Sequence, residues 1–292
     1  MAVKAEALGA PVAWHGEGPM WDAAEKRLLI VDMMAGAVVD LGSPEYGSQA
    51  PTRHDVGSAV AAALRPRTAG GFAVATEHGF SLFSRAFTLE RRFDDIIVDP
   101  GIRMNEGGCD PQGRFYCGTM AYDAEPGRGE LFRLDADGTA HRVFGDVTIS
   151  NGLQWSDDGT QAYYNDTPTG RIDVFDFDGE RGAFENRAPF VMIDEEIGHP
   201  DGLAVDAEGG VWTALWGGGA VRRYDSNGRL SEVVDVPGVT NTSACCFGGE
   251  GLRTLFITTS RQDVPQGEQP AAGAVFAVEP GVAGRLLSSF AG

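Results

Sequence analysis

Short apolar runs recur along the whole chain, each four or five residues long and bounded by glycine, aspartate or asparagine. They are rich in β-branched and aromatic residues, which is typical of β-strands. The clearest examples are Leu28–Val31, Gly71–Ala75, Arg114–Cys117, Gln161–Tyr164, Gly210–Ala214 and Thr254–Thr258. Helical periodicity is scarce by comparison, so the pattern predicts an all-β protein.

A turn precedes each of these runs, and the turns are evenly spaced. They contain aspartate, proline and glycine, which suit tight hairpins because glycine accepts positive φ and aspartate bonds nearby backbone amides. Positions 22, 67, 110, 157, 206 and 249 mark the six turns, and successive marks lie 43 to 49 residues apart. A second hairpin follows within several units, for example near Asp135–Gly138 and Asp225–Gly228. Each unit is therefore predicted to hold four short strands.

This period with four strands per repeat is typical of a β-propeller. We predict a single domain, residues 1–292, folded as an all-β, six-bladed β-propeller with four-stranded blades. The alternative, a two-domain β protein with accidental spacing, does not explain the regular steps. Residues 1–15 are predicted to add a strand beside Gly273–Val278, which would close the ring and remove exposed sheet edges. The longer connections 121–129 and 261–272 are predicted to lie over one mouth.

Composition narrows the possible partners and location. With 42 Asp and Glu against 23 Lys and Arg, the formal charge of −19 disfavours binding to nucleic acids and to anionic membranes. The sequence shows no apolar run suited to a secretory signal or a transmembrane helix. Its four cysteines, Cys109, Cys117, Cys245 and Cys246, are too few for a disulfide scaffold. We expect reduced, mostly buried thiols and a cytoplasmic protein, and the sequence leaves its oligomeric state open.

Four short polar segments occupy the same relative place in their repeats, a few residues ahead of the turn. They are Gly16–Pro19, Arg103–Gly107, Ser150–Gly152 and Pro200–Gly202. The first strand of each propeller blade lines the central channel, so equivalent positions converge on one mouth of it. Carboxylates and amides crowded there repel one another or stay unsatisfied unless a cation binds them. One Asn-Gly or Asp-Gly pair alone would indicate a turn, but four in register predict a site.

The resemblance is to the SMP-30/gluconolactonase/luciferin-regenerating-enzyme family over about Glu17 to Phe276, and it is carried by the segments Gly16–Trp21, Asp110–Met120, Ser150–Ser156 and Pro200–Leu203. The resemblance implies a six-bladed propeller with one divalent metal in the channel and, in many members, hydrolysis of sugar lactones. The segment Trp212–Gly218 looks closest to bacterial sugar-acid lactonases within that family. Motifs for a serine nucleophile, a zinc protease or a phosphate loop do not occur in the sequence.

The resemblance also implies which residues hold the metal. Glu17, Asn151 and Asp201 would be the ligands, and Asp201 would double as the base. Two carboxylates and an amide oxygen suit a hard cation such as Ca²⁺, Mg²⁺ or Mn²⁺, and Zn²⁺ or Fe²⁺ also stays open. Three protein ligands leave positions for water and substrate, which is the catalytic pattern.

Other residues would face the substrate. By the same resemblance, Arg103 and Asn105 would bind it and Asp123 would contact sugar hydroxyls. The family usually has Asn-Asp where this chain has Asn105-Glu106, so the reach of Glu106 differs from the family pattern. Glu106 remains a second candidate for accepting a proton from water.

The predicted function is a divalent-metal-dependent hydrolase that opens an aldonolactone to its acid with metal-activated water. A lactone is an ester, and the chemistry needs no covalent nucleophile. Two alternatives remain at this stage. One is a phosphotriester or fluorophosphate hydrolase with Asp201 as nucleophile, and the other is a regulatory propeller that binds metal without turnover. The small-molecule lactone is the only partner predicted.

Overall fold

Six small sheets, each built largely from consecutive antiparallel strands, make up the chain in the computed structural model, which describes residues 3–43, 50–94 and 96–292. The first two strands, β1 and β2, are Val3–Lys4 and Glu6–Ala7. Blade 1 consists of β3–β6, which span Gly16–Asp22, Arg27–Asp32, Ala37–Asp40 and Thr52–Asp55. Blade 2 consists of β7–β10, which span Ala61–Pro66, Phe72–Thr76, Phe80–Phe83 and Leu89–Phe93. Blade 3 consists of β11–β14, which span Ile102–Cys109, Phe115–Ala121, Gly129–Leu134 and Ala140–Val147.

The remaining blades repeat this arrangement. Blade 4 consists of β15–β18, which span Ser150–Trp155, Gln161–Asp166, Arg171–Asp178 and Ala183–Met192. Blade 5 consists of β19–β22, which span His199–Val205, Val211–Trp216, Ala220–Tyr224 and Leu230–Asp235. Blade 6 contains β23–β25, which span Thr242–Gly248, Thr254–Thr259 and Phe276–Val278. Short 3₁₀ turns occur at Met33–Ala35, Thr167–Thr169, Glu195–Ile197 and Glu250–Leu252.

The predicted six-bladed propeller is confirmed, including the way in which its ring closes. β2 supplies the fourth strand of blade 6, pairing antiparallel with β25 so that Glu6 lies opposite Ala277. Just before it, β1 pairs parallel with β22, with Val3 opposite Val234. The N-terminal residues therefore fasten the last two blades to each other.

The turns that follow the inner strands have the chemistry that the sequence predicts. In blade 3, Oδ1 of Asp110 accepts hydrogen bonds from the backbone amides of Gln112 and Arg114 at 3.0 and 2.9 Å. In blade 5, Oδ1 of Asp206 accepts from the amides two and four residues further on, at 2.9 and 2.8 Å. A buried aspartate thus caps each of these hairpins and starts the second strand at the same place.

The core lies between the blades. The second strand of blade 1 shows why, because four consecutive residues, Leu28–Val31, are fully buried. A strand pressed between neighbouring sheets buries both of its faces, so its sequence is a continuous apolar run. All four cysteines lie in this interior as free, buried thiols, as expected. Over the described ranges, the protein has no helix long and apolar enough to cross a membrane.

A C-terminal strap, residues 283–292, runs across the end of the channel where the inner strands finish. Its backbone hydrogen-bonds to Leu252 in blade 6, to Ala207 in blade 5, to Gly113 in blade 3 and to Pro66 in blade 2. Arg285 of the strap also donates to the carbonyl oxygen of Trp155 in blade 4, at 3.3 Å. The strap therefore joins blades 2 to 6, and it leaves the opposite end as the open mouth.

Candidate active site

Each inner strand breaks register with its neighbour near its first residues, at the open mouth. The breaks fall at Glu17–Met20, Ala61–Ala63, Met104–Gly107, Ser150–Leu153, Pro200–Leu203 and Thr242–Cys245. Such bulges interrupt the alternation of side chains and re-aim them, which is common beside active sites. The bulges of blades 1, 3, 4 and 5 carry the predicted polar residues. Those of blades 2 and 6 carry Ala62 and Ser243–Ala244 instead.

Glycine lets the bulged strands approach one another. A Cβ on Gly152 would lie 2.6 Å from the backbone nitrogen of Leu203, and a Cβ on Gly202 would lie 2.5 Å from the Cβ of Ala244. Since such distances are too short for non-bonded carbon and nitrogen atoms, only glycine fits these two positions. The inner strands of blades 4, 5 and 6 therefore pack closely enough to bring their polar neighbours together.

A cavity of about 130 Å³ opens at this mouth. Its lining residues are His15, Glu17, Arg103, Asn105, Met120, Ile149, Asn151, Thr167, Asp201, Trp216 and Gln262. Five of the seven residues singled out from the sequence are among them, and they come from four different blades. Gln262 lies in the connection 260–275, so this connection reaches the mouth, as the sequence predicts for its residues 261–272.

A chain of hydrogen bonds joins three of these side chains across blades 3 and 4. Nη1 of Arg103 donates to Oδ1 of Asn105 at 2.7 Å. Nδ2 of Asn105 donates to the carbonyl oxygen of Ser150 at 2.8 Å and lies 3.4 Å from Oδ1 of Asn151. The amide of Asn105 is therefore fixed by its neighbours. The side-chain hydrogen bonds that Arg103 makes to described residues all come from Nη1, so Nε and Nη2 are left for a ligand.

Three buried carboxylates influence one another at the head of the channel. Burial raises the pKa of Glu17 to about 7, although its Oε2 accepts a hydrogen bond from the amide of Gly18 at 2.9 Å. The pKa of Asp201 is raised well above its usual value by burial and then by the charges of Glu17 and Glu106. Burial thus makes the ionised forms of these acids costly, and a bound cation would offset that cost.

Glu106 lies outside the lining of the cavity and is buried beneath it, 5% exposed. Among the described residues, its Oε2 has no hydrogen-bond partner. Burial and the charge of Glu17 raise its pKa well above the usual value, and the guanidinium of Arg65 lowers it in part. Arg65 in turn donates to the carbonyl oxygen of Gly107. Glu106 therefore interacts electrostatically with Glu17 and Asp201, although it does not line the cavity.

Asp123, like Glu106, is a sequence-predicted residue that does not line the cavity. It is exposed, in the connection 122–128 between β12 and β13. Its Oδ1 accepts a hydrogen bond from the amide of Glu125 at 3.1 Å, within the same turn. A contact between Asp123 and sugar hydroxyls stays a prediction.

His15 and Trp216 line the cavity without having been singled out from the sequence. Nδ1 of His15 lies 2.7 Å from Oγ of Ser260, and its ring lies 5.7 Å from that of Trp216. Burial and then the charge of Arg103 lower the pKa of His15 to about 4, so its ring is neutral near pH 7. Their positions in the sequence were the available signal, because His15 lies two residues before Glu17 and Trp216 lies within the lactonase-like segment Trp212–Gly218.

The donor atoms at the mouth fit a hard divalent cation. Glu17 and Asp201 bring carboxylates, and Asn151 brings an amide oxygen whose NH₂ group is already bound to Thr167 at 2.8 Å. An all-oxygen set of this kind is typical of Ca²⁺, Mg²⁺ or Mn²⁺. No group of three or more His, Cys, Asp or Glu side chains within the described ranges is arranged to hold a metal. This candidate set has two such acids and an amide.

Known proteins resemble this chain over nearly its full length. Pentonolactonase XacC of Haloferax volcanii is 37% identical over 279 residues, which cover 92% of both chains. Regucalcin of Xenopus laevis is 31% identical over 305 residues, covering 100% of this chain and 99% of that one. A solved structure described as a calcium-binding protein, regucalcin from Agrobacterium tumefaciens, superposes with a TM-score of 0.91 at 27% identity, covering 99% of each chain.

The family model described as SMP-30/Gluconolactonase/LRE-like region matches residues 15–261. That range contains all seven residues singled out from the sequence and the inner strands of all six blades. The chain therefore belongs to the SMP-30/gluconolactonase/LRE-like family.

Proposed function

We propose that this protein hydrolyses a sugar lactone, opening an aldonolactone ring to the free aldonic acid with the help of one divalent metal ion. The observation that carries the proposal is the convergence of Glu17, Asn151 and Asp201 with Arg103 and Asn105 in one cavity. The relative named pentonolactonase, at 37% identity, supports the same substrate class.

The size and lining of the cavity support a small cyclic substrate. At about 130 Å³ it is smaller than the roughly 300–1,000 Å³ of sites for drug-sized ligands. Met120, Ile149 and Trp216 provide apolar wall, while Arg103 and Asn105 provide hydrogen-bonding groups. A sugar lactone has both kinds of surface, since its ring carbons are apolar and its hydroxyls project outward.

Glu17, Asn151 and Asp201 would hold the metal. Ca²⁺, Mg²⁺ and Mn²⁺ match the oxygen donors, and Zn²⁺ and Fe²⁺ belong in any test. When bound, such an ion polarises a carbonyl group and lowers the pKa of water. The charge of Glu17, which otherwise raises the pKa of Asp201, would then be compensated.

The chain's own residues would manage the protons and the developing charge. Asp201, or Glu106 beneath it, accepts a proton from water while the water oxygen bonds to the lactone carbonyl carbon. When the ring C–O bond breaks, that proton passes to the departing ring oxygen, so a hydroxyl and a carboxyl group result. The free part of the Arg103 guanidinium can donate hydrogen bonds to the oxyanion or to ring hydroxyls.

The test is a pH-indicator assay of aldonolactones with five- and six-membered rings. The protein is first stripped with EDTA and then supplied with each of the five divalent metals, and spontaneous hydrolysis is subtracted. We expect acid release that requires metal and that Asp201→Asn abolishes. Full turnover by the stripped protein, or equal turnover by Asp201→Asn, would refute the proposal.

Binding without turnover is a second candidate, because the Agrobacterium neighbour is described as a calcium-binding protein. A panel of lactones and organophosphates with no metal-dependent rate would favour it. Hydrolysis of organophosphates alone would favour the phosphotriesterase alternative. In that case ¹⁸O from labelled water would enter the Asp201 carboxylate in a single turnover.

We also propose a cytoplasmic location. Its support is that all four cysteines are free and buried in the structure, as is usual in a reducing compartment. Fractionation of the source cells with an antibody to the protein would test this.

A further inference from the structure

Thr167 lies in the 3₁₀ turn between β16 and β17 and lines the cavity between blades 4 and 5. Its Oγ1 donates a hydrogen bond to the carbonyl oxygen of Pro200 in β19, at 2.8 Å. Nδ2 of Asn151 in β15 donates to the same hydroxyl at 2.8 Å. One side chain therefore links the inner strands of two neighbouring blades, beside two proposed metal ligands.

The direction of these hydrogen bonds follows from the chemistry of a hydroxyl group. A hydroxyl has one proton, and a backbone carbonyl can only accept, so the proton of Thr167 is directed to Pro200. The hydroxyl must then accept from Asn151. The amide of Asn151 consequently presents its NH₂ group to Thr167 and its oxygen to the other side, where Nδ2 of Asn105 lies 3.4 Å away.

Asn165, near the end of β16, binds the next carbonyl group of β19. Nδ2 of Asn165 donates to the carbonyl oxygen of Asp201 and lies 3.3 Å from Oγ1 of Thr213. The turn is itself anchored, because the amide of Thr167 donates to the carbonyl oxygen of Ile149 at 3.1 Å. The two carbonyls that flank the Cα of Asp201 are therefore bound by Thr167 of the anchored turn and by Asn165 near the end of β16.

We propose that Thr167 is a positioning residue for the metal site. Its hydroxyl fixes the Asn151 amide with the oxygen toward the cavity and holds the backbone at Asp201, so that both residues offer oxygen to one cation. The inference rests on the proposed function, in which Asn151 and Asp201 are ligands. Without the hydroxyl, Asn151 is free to turn its NH₂ group toward the cation, which would repel it.

The experiment compares variants at two threonines of the same turn. Thr167→Val and Thr167→Ala remove the hydroxyl, and Thr167→Ser keeps it. Thr169→Val is the matched control, because the Thr169 hydroxyl donates to the carbonyl oxygen of Asp166 at 2.7 Å, within the turn. Calorimetry on EDTA-stripped protein gives Kd for Ca²⁺ and Mn²⁺, and lactonase activity and metal-free Tm are measured alongside.

We expect Thr167→Val and Thr167→Ala to weaken metal binding by about 10–100-fold, as is typical when a partner of a metal ligand is lost. Thr167→Ser and Thr169→Val should bind metal like the unchanged protein. Activity of Thr167→Ala should recover as the metal concentration is raised, which a purely structural defect would not do.

The outcomes separate this inference from the proposed function. If the unchanged protein binds metal and hydrolyses lactones while Thr167→Ala keeps the same Kd, only the role of Thr167 is refuted. Equal weakening in Thr169→Val would also refute it, because the loss would then belong to the turn as a whole. If the unchanged protein binds no divalent metal, the proposed function fails and the inference fails with it.

Discussion

Asp201 and Asp206 lie on and just after the same strand, β19, at opposite ends of the channel. Both are at least 96% buried, at 4% and 0% exposure. At the mouth, burial and the charges of Glu17 and Glu106 raise the pKa of Asp201. At the strap end, burial alone would raise the pKa of Asp206, but hydrogen bonds from Arg223 and Trp212 lower it below its usual value.

The same repeated fold therefore uses buried acids in two ways. Asp206 has its partners within the protein, with Nε of Arg223 at 2.7 Å and Nε1 of Trp212 at 2.8 Å. At the mouth, Glu17, Glu106 and Asp201 lie near one another, so their electrostatic repulsion persists in the folded protein. The hydrogen-bonded Asp206 at the strap end therefore stabilises the fold. The acids at the mouth lower the stability of the fold, and a bound cation would offset that cost.

The largest expected effect is the loss of activity in Asp201→Asn. Removing a general base costs about 10²–10⁴-fold in rate, and loss of a metal ligand adds to this. The free energy of unfolding without metal should not fall, because the substitution removes one of the mutually repelling charges. Urea unfolding in EDTA checks this, and a clear loss of stability would contradict the comparison.

Asp206→Asn should give the opposite result. The substitution removes the buried charged partner of Arg223 and leaves that guanidinium only the exposed carboxylate of Glu208, at 3.1 Å, so we expect a loss of about 3 kcal/mol of unfolding free energy. Activity per folded molecule should be retained, since the substitution lies at the far end of the strand. If Asp206→Asn lowered kcat as strongly as Asp201→Asn, the two ends would not be functionally distinct.

The strap offers the next test. Phe290 is fully buried against a core that includes Phe115, with ring centroids 6.4 Å apart. Phe290→Ala should therefore cost about 3–5 kcal/mol. Leu286→Ala is the control in the same strap, because that side chain is 57% exposed and its loss should stay within about 0.5 kcal/mol. If Phe290→Ala lowered the free energy of unfolding as little as Leu286→Ala does, the strap would not contribute to stability.

The sequence predicted the repeats well because turns and strands are local. Hairpin aspartates such as Asp110 and apolar runs such as Leu28–Val31 reveal the period, and the period places Glu17, Asn151 and Asp201 at one mouth. Apart from the ring-closing strand beside β25, which follows from the fold class, contacts between distant segments could not be predicted in this way. The strap has no strand pattern of its own, and its partners lie more than two hundred residues away in some cases, as Phe290 and Pro66 do.

The same limit explains what was missed at the site. Thr167 and His15 reach the cavity through hydrogen bonds to Pro200 and Ser260, and neither pairing leaves a mark in the spacing of the sequence. The sequence placed Glu106 in its strand, but it did not predict the β-bulge in which Asn105 and Glu106 lie. Tertiary packing decides these positions.

Cysteine labelling tests whether the strap keeps solvent out of the interior at its end of the channel. Cys109 and Cys246 line a cavity of about 30 Å³ under residues 285–288, room for about one water. Burial raises the pKa of Cys246 to about 12 and that of Cys109 further still, and only the thiolate reacts readily. Iodoacetamide at pH 8 should leave both thiols unmodified, as peptide mass spectrometry would show. In Phe290→Ala both should react before Cys117.

The smallest expected effect concerns Asp123, in the exposed connection between β12 and β13. If it contacts a sugar hydroxyl as predicted, an exposed hydrogen bond is at stake, worth about 0.5–1.5 kcal/mol. Asp123→Asn should then raise KM for the best lactone by up to about tenfold and leave kcat unchanged. Glu125→Gln, in the same exposed turn, is the control and should leave both constants alone. Because Oδ1 of Asp123 already accepts from the amide of Glu125 at 3.1 Å, an unaltered KM would mean that Asp123 only shapes its own loop.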